Sequence, residues 1–306
     1  MIVAVVSGGF SEEQHSSRES GKHVSDALGA LGHTVVTVEY DENLLSSLKR
    51  AAPDAIFPIV QGKHHGDGAV QALLEMTGLP YVGSRPQAAA IINHKTICKQ
   101  IWRAAGVPTP AFYTYCNEEY QKDSFEDFKK KAEINGLTLP VVVKAPTQGS
   151  RFGMVFLQDD LAYRDLEVTF RYDRTLLVEQ YVEGRFITQG IIEVEGRMTT
   201  LPPVEIIDPS DDKFKRYSGG TTYRARHFTP ERLAEINRAS LEAAALTGAT
   251  GLARLDYHIS GDQLFLLEIN AVPGLVPGYS DMCKCVETAG YDYTTFIGML
   301  LASAGR

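Results

Sequence analysis

From Ile2 to Thr77 the chain alternates short apolar runs with helical patterns, and no other feature narrows the fold as much. Ile2–Ser7 reads as a buried strand, Gly8-Gly9 as its turn, and Ser16–Leu31 as a helix ending near Gly32. Thr34–Glu39 is the next strand, Leu44–Ala51 a helix, Asp54–Ile59 a third strand and Ala69–Thr77 another helix. Strands joined through helices imply a parallel sheet with helices on its faces. Ligands of such sheets gather at the carboxyl ends of the strands, where Gly8–Glu13 and Gln61–Gly68 fall.

The pattern changes further on. A helix at Lys95–Ala105 is closed by GVPTP, whose glycine and prolines mark a boundary. Leu139–Lys144, Val155–Leu157 and Thr175–Gln180 are strand-like, which predicts an α+β region with antiparallel pairing. Strand signals recur in ITQGIIEVEG and MTTLPPVEII, a polar loop spans Asp208–Thr222, and Pro230–Gly248 is helical. Gly251–Ile259 and Gln263–Ile269 form an expected hairpin. With 306 residues, 44% of them hydrophobic, the chain can fill several modest cores.

A formal net charge of -8 argues against a broad nucleic-acid surface but leaves room for local basic pockets that hold phosphates. Cys98, Cys116, Cys283 and Cys285 are too few and scattered for a disulfide framework, which fits a reducing, cytoplasmic setting. The Cys283–Cys285 pair has no further cysteines near it to complete a zinc site, and His64-His65 reads as an exposed pair in a polar loop. No basic leader precedes the first apolar run, and no apolar stretch approaches the roughly 20 residues of a membrane helix. A soluble protein with neither membrane nor nucleic-acid partners is expected.

Chemistry concentrates in ARLDYH and FLLEIN, which place Asp256, Glu268 and Asn270 on adjacent strands. Period-two geometry puts Glu268 and Asn270 on one face, and a hairpin register can set Asp256 opposite them. Carboxylate and amide oxygens so grouped suit Mg²⁺ together with nucleotide phosphates. Strand carboxylates are most often simply solvated, but the apolar setting LFLLEINAVPG argues that these have partners. A second signal is the glycine-rich loop Gln148–Gly153, following a strand that ends in Lys144. It can offer backbone N–H groups and a positive charge to phosphates, although a plain hairpin turn fits equally well. The Walker pattern is absent, which disfavours a P-loop enzyme.

The ordered blocks SGGFSEE, GDG, GLPYVGS, HK, PVVVKAPTQGSRFGM, LLVEQYVEG, KRYSGGT, ARLDYH and LLEINAVPGL resemble the D-alanine–D-alanine ligases of the ATP-grasp superfamily. The resemblance implies a three-lobed ATP-grasp fold, α/β and α+β, with an N-terminal parallel-sheet domain. The expected lobes are 1–92 on the substrate side, a central ATP-grasp lobe at 93–182, and a C-terminal ATP-grasp lobe with the metal site at 183–306. ATP and two Mg²⁺ ions, with Mn²⁺ as a possible substitute, are the implied cofactors, small amino acids the substrates, and a homodimer the assembly.

Carried over residue by residue, the resemblance makes Lys95, Lys144 and Gly149 phosphate contacts, sets Glu179 beside the adenine, and gives Asp256, Glu268 and Asn270 the metals. Arg254 would neutralise the first substrate's carboxylate as it becomes an acyl phosphate. Glu13 would receive that substrate's ammonium, with Ser150 and Tyr217 as hydrogen-bonding companions. Arg216 stands where the family commonly has a lysine facing the second substrate. The loop Asp208–Thr222 is the expected lid. Departures fall near the ligands: Gln61 replaces a histidine, Gly66 removes a carboxylate, and Phe186 stands where a glutamate generally binds the ribose. In NAVPGLVPGYS, Gly274 is kept while the substrate-contacting serine is either replaced by Tyr279 or displaced to Ser280. The implied activity is ATP-dependent joining of two amino acids in peptidoglycan biosynthesis. A related ligase with a different acceptor is the alternative, and an inactive nucleotide-binding regulator a third reading.

Overall fold

The computed structural model describes residues 1–62, 66–207, 222–225 and 228–305. Arg216, Tyr217, most of the expected lid, and His64 and His65 lie outside the described residues. The chain opens with β1 (Ile2–Ser7), α1 (Gln14–Ala30), β2 (Thr34–Glu39), α2 (Leu44–Ala51), β3 (Ala55–Pro58) and α3 (Ala69–Glu75). Its strands pair in parallel in the order β2-β1-β3, as the alternation predicts. Val3, Val5 and Val6 of β1 are fully buried. Burying one such side chain contributes about 1.5–3 kcal/mol, so β1 takes the middle of the sheet.

Helices α4 (Pro86–Asn93) and α5 (Lys95–Ala105) follow; proline at the first position of α4 and left-handed Gly106 after α5 fix their ends. The next lobe contains β4 (Phe112–Cys116), α6 (Asn117–Tyr120), α7 (Phe125–Ile134), β5 (Val141–Lys144), β6 (Met154–Leu157), α8 (Asp160–Arg164), α9 (Leu166–Thr169) and β7 (Thr175–Gln180). Its strands run β4-β7-β5-β6 and every pairing is antiparallel. The core beneath, from Tyr115 and Phe128 to Leu176 and Val178, is drawn from this lobe alone.

The last part holds β8 (Arg185–Val194), β9 (Arg197–Thr200), β10 (Val204–Ile207), β11 (Thr222–Ala225), α10 (Pro230–Thr247), β12 (Leu252–Ser260), β13 (Gln263–Asn270), α11 (Asp281–Thr288) and α12 (Tyr293–Ala302). Among the described residues its antiparallel sheet runs β11-β10-β8-β12-β13, with β9 paired to β8. On one side α4, α5 and α10 bury Ile92, Trp102 and Ile236 against Ile187, Leu255 and Tyr257 of this sheet. On the other, Met282, Cys285, Phe296 and Leu300 of α11 and α12 share a core with Val3, Val5 and Phe57 of the first sheet. No described helix is long and apolar enough to cross a membrane.

Candidate active site

The β12–β13 hairpin pairs Asp256 directly with Glu268 and Arg254 with Asn270, which brings the expected metal residues onto one face. The register shifts between Asp256 and Tyr257, so one extra β13 residue is accommodated beside the carboxylates. Such bulges re-aim side chains where a sheet carries a site. Arg254 holds Asp256 by a fork, Nε to Oδ1 at 3.0 Å and Nη2 to Oδ2 at 2.7 Å. It also lies 3.9 Å from Glu268 and 3.5 Å from Asp281. Thr188 on β8 donates to Asp256 at 2.8 Å, and Asn270 Nδ2 lies 3.5 Å from both carboxylates. Burial, with the neighbouring Glu268 charge, pushes Asp256 up to about 6 against the pull of Arg254. For Glu268, burial is outweighed by Lys95, Arg254 and Lys144, and the carboxyl falls well below its ordinary value.

Cations line the adjoining wall. Lys95, at the first turn of α5, reaches Glu268 at 3.2 Å and donates to the Gln148 carbonyl at 2.6 Å. Lys144, at the end of β5, reaches Glu179 on β7 at 2.9 Å. The other oxygen of Glu179 lies 3.2 Å from Lys99, whose side chain is wholly buried and also donates to Thr109. Burial lowers Lys99 to about 8, opposed by Glu179, while Glu179 is held below its usual range by Lys144 and Lys99 in spite of burial. Lys99 escaped the sequence reading; its signal is a lysine on the α5 face that also buries Cys98 and Trp102.

The glycine-rich loop turns tightly: Phe152 N–H donates to the Gly149 carbonyl at 2.9 Å, and Ser150 and Arg151 take φ of 50° and 60°. Left-handed backbone at two consecutive non-glycine residues costs energy and is kept only where surroundings impose it. Thr147 anchors the loop, donating its N–H and hydroxyl to Asp173. At the other end Ser150 Oγ donates to Glu13 Oε1 at 2.6 Å. A Cβ on Gly149 would lie 3.0 Å from Glu13 Oε2, so a side chain there would press on that carboxylate.

Gln61 and Ser280 converge on Gly274: a Cβ there would meet Ser280 Oγ at 3.0 Å and Gln61 Nε2 at 3.5 Å. Ser280 is buried and accepts from Val276 N–H at 2.9 Å, whereas Tyr279 is 67% exposed. Gln61 donates to the Val272 carbonyl at 3.3 Å. Phe186 lies on β8 directly opposite His258 on β12, the rings 5.5 Å apart and edge-on at 76°. Besides Lys99, the residues that sequence reasoning missed are Thr188, His258 and Asp281; a period of two from Phe186 to Thr188 and from Asp256 to His258 was the available signal for two of them.

Comparison with known proteins agrees with this architecture. Residues 101–302 match the family model described as D-ala D-ala ligase C-terminus. A D-alanine–D-alanine ligase of Moorella thermoacetica is 34% identical, with 97% of each chain covered. One from Coprothermobacter proteolyticus is 30% identical over 99% of this chain and all (100%) of its own. The structure of the Bacillus anthracis D-alanine–D-alanine ligase complexed with ATP superimposes with a TM-score of 0.83 at 26% identity, covering 99% of this chain and 97% of that one. Fold, motif order and near-complete coverage therefore make this chain a member of the D-alanine–D-alanine ligase family, with the family's ATP-grasp architecture.

Proposed function

We infer that the chain is an ATP-dependent carboxylate–amine ligase that joins two amino acids through an acyl phosphate, with D-alanine as the default at both positions. One observation carries the residue assignments. Two sets of polar contacts meet at the glycine-rich loop, one from Glu13 to Ser150 and one from the Gln148 carbonyl to Lys95 and on through Glu268 and Arg254 to Asp256. Together they join a carboxylate suited to an ammonium, a loop suited to phosphates, and a guanidinium suited to a carboxylate.

The chemistry follows from charge. A carboxylate acylates poorly because oxide is a poor leaving group, so the γ-phosphate of ATP is first transferred to it and ADP departs. Arg254, in a planar fork geometry, offsets repulsion between the carboxylate and the incoming phosphoryl group. Lys95 and Lys144 hold the phosphates, and Glu13 orients the first substrate through its ammonium. The second amine then attacks the acyl carbonyl, phosphate leaves and the amine's proton is lost. The intermediate must be kept from water for an amide to form.

Asp256, Glu268 and Asn270 fit Mg²⁺ by the chemistry of their donors, hard oxygens grouped on two adjacent strands. Two Mg²⁺ ions, or Mn²⁺ in their place, would supply charge neutralisation between the phosphates and the carboxylate. We place the serine of the second-substrate site at Ser280, since it faces Gly274 and Gln61 while Tyr279 faces outward. The reshaped neighbourhood of Gln61 favours an acceptor other than, or broader than, D-alanine as the second reading. A homodimer in the cytoplasm completes the proposal.

The test is phosphate release from ATP over a panel of amino acids, with products identified by mass. Phosphate released only with D-alanine, and a product of matching mass, supports the first reading; a different dipeptide supports the second. No phosphate release with any amino acid would overturn both.

A further inference from the structure

Arg254 has three guanidinium nitrogens, and each of them faces a carboxylate. Nε and Nη2 form the fork to Asp256, while Nη1, the one nitrogen outside that fork, lies 3.5 Å from Asp281 Oδ2. Asp281 belongs neither to the metal residues nor to the substrate contacts assigned above. It lies in the first turn of α11, directly after Ser280, the N-cap residue of that helix. The pair is largely shielded, the two side chains being 18% and 15% exposed, so solvent screens it less than a surface ion pair.

Packing sets the two side by side. Gly190 of β8 is the register partner of Arg254, and a Cβ there would lie 2.7 Å from the sulfur of Met282, the fully buried neighbour of Asp281 in the chain. A side chain at 190 would therefore press on α11. One turn further along that helix, Cys285 Sγ lies 3.7 Å from the Thr188 carbonyl of the same strand. Helix α11 is thus seated on β8 at the level of Arg254. A fork fixes two nitrogens and leaves the guanidinium plane able to tilt about the line through them; attraction at Nη1 supplies a third point and sets the tilt. A guanidinium carries five N–H donors, of which the Asp256 fork uses two. Glu268, 3.9 Å from Nη2, is too far to take another by a hydrogen bond. One hydrogen on Nη2 and one on Nη1 therefore remain as a second fork, of the geometry that fits a substrate carboxylate.

We propose that Asp281 is a positioning residue for Arg254: it sets the plane of the guanidinium, hence the direction in which the second fork meets the first substrate's carboxylate, and ties that direction to the helix that starts at Ser280. The proposal rests on the ligase reading above. Asp281 itself touches no substrate. Its negative charge also repels an incoming carboxylate, so alignment is gained while ground-state binding is weakened. These two effects leave different marks on kcat and KM.

The experiment compares the full chain with its Asp281→Asn and Asp281→Glu variants by steady-state phosphate release, with ATP, Mg²⁺ and D-alanine, and by thermal melting. Asp281→Asn is expected to lower kcat by about five- to twentyfold, as for a modest misalignment of one group, while KM for the first amino acid stays level or falls. Asp281→Glu, which keeps the charge, recovers most of that kcat. A wild-type kcat in Asp281→Asn, or a Glu variant as slow as the Asn variant, overturns the proposal. So does a rise in the KM of either amino acid with kcat intact, which would make Asp281 a binding contact. Failure of the wild type to release phosphate with D-alanine would instead overturn the reading on which the proposal rests. Should Asp281→Asn not fold, Asp281→Ser takes its place, since serine removes the charge with less bulk.

Discussion

Glu13 and Ser150, 137 residues apart, meet through a 2.6 Å hydrogen bond that ties the first turn of α1 to the glycine-rich loop between β5 and β6. The bond joins the parallel-sheet lobe to the central lobe.

Replacing Glu13 by Gln removes the charge that would pair with an ammonium while keeping the reach to Ser150. Loss of one charged hydrogen bond is worth about 1.5–3 kcal/mol, or roughly 10- to 100-fold. Steady-state kinetics should therefore show kcat/KM for the first amino acid falling by that factor, with KM for ATP unchanged. A parallel rise in the KM for ATP would move Glu13 out of the amino-acid site.

Glu268→Gln should reduce phosphate release by about a thousandfold or more, because a hard oxygen ligand is exchanged for a weaker one where several kcal/mol of charge stabilisation are needed. The fold should survive, since Lys95 retains the Gln148 carbonyl and Arg254 retains Asp256. Near-wild-type turnover with an unchanged melting curve would remove Glu268 from the metal set.

Lys144 and Lys99 share Glu179 but should fail differently. Lys144, partly exposed, is expected to lose ATP affinity on change to Ala, with amino-acid binding intact in calorimetry. Lys99 is fully buried, and Lys99→Met should cost about 3–5 kcal/mol in denaturant unfolding, as for other broken buried pairs. The sign of the pH dependence follows from its lowered value of about 8 against 10.5 for the ordinary lysine. Between those values the unfolded chain binds more protons, so stability rises as pH climbs from about 8 towards 10.5 and falls over the same window as pH drops, levelling off below about 8. Unfolding curves at several pH values should show that slope in the wild type and its absence in Lys99→Met.

Ser280→Ala should raise KM for the second amino acid with little change in kcat or in the first substrate's KM, a loss of binding and not of activation. Tyr279→Phe should leave all three constants as they are, since Tyr279 is 67% exposed. The reverse outcome would return the role to Tyr279.

Much of this was readable in the letters because local periodicity and tertiary placement agree. The alternation over β1 to α3 fixes a parallel sheet, and period two fixes Glu268 and Asn270 on one face. What escaped reading depends on partners distant in the chain. Helix α12 was missed because it is apolar nearly all round, having Phe296, Ile297, Leu300 and Leu301 buried against other elements. Strand β4 hid in the aromatic run FYTYC just beyond the proline-rich boundary. Lys99 is explained by Glu179 and Thr109, and Glu179 by the two lysines that flank it. Nor does any local pattern announce the bulge between Asp256 and Tyr257.

The cores divide the molecule mechanically. Because α11 and α12 bury their apolar side chains with β1 and β3, the first and last sheets are welded into one anvil. The central lobe encloses its own core and meets that anvil through polar contacts from Ser150 to Glu13, from the Gln148 carbonyl to Lys95 and from Glu179 to Lys99, while just ahead of it the Pro108 carbonyl accepts from Leu266 N–H. Polar contacts can break and re-form in water at little net cost, whereas a shared apolar core cannot be opened so cheaply. Any jaw-like motion that admits nucleotide is therefore a swing of residues 112–180 against a stationary remainder, with its pivot at the Pro108–Thr109 tether.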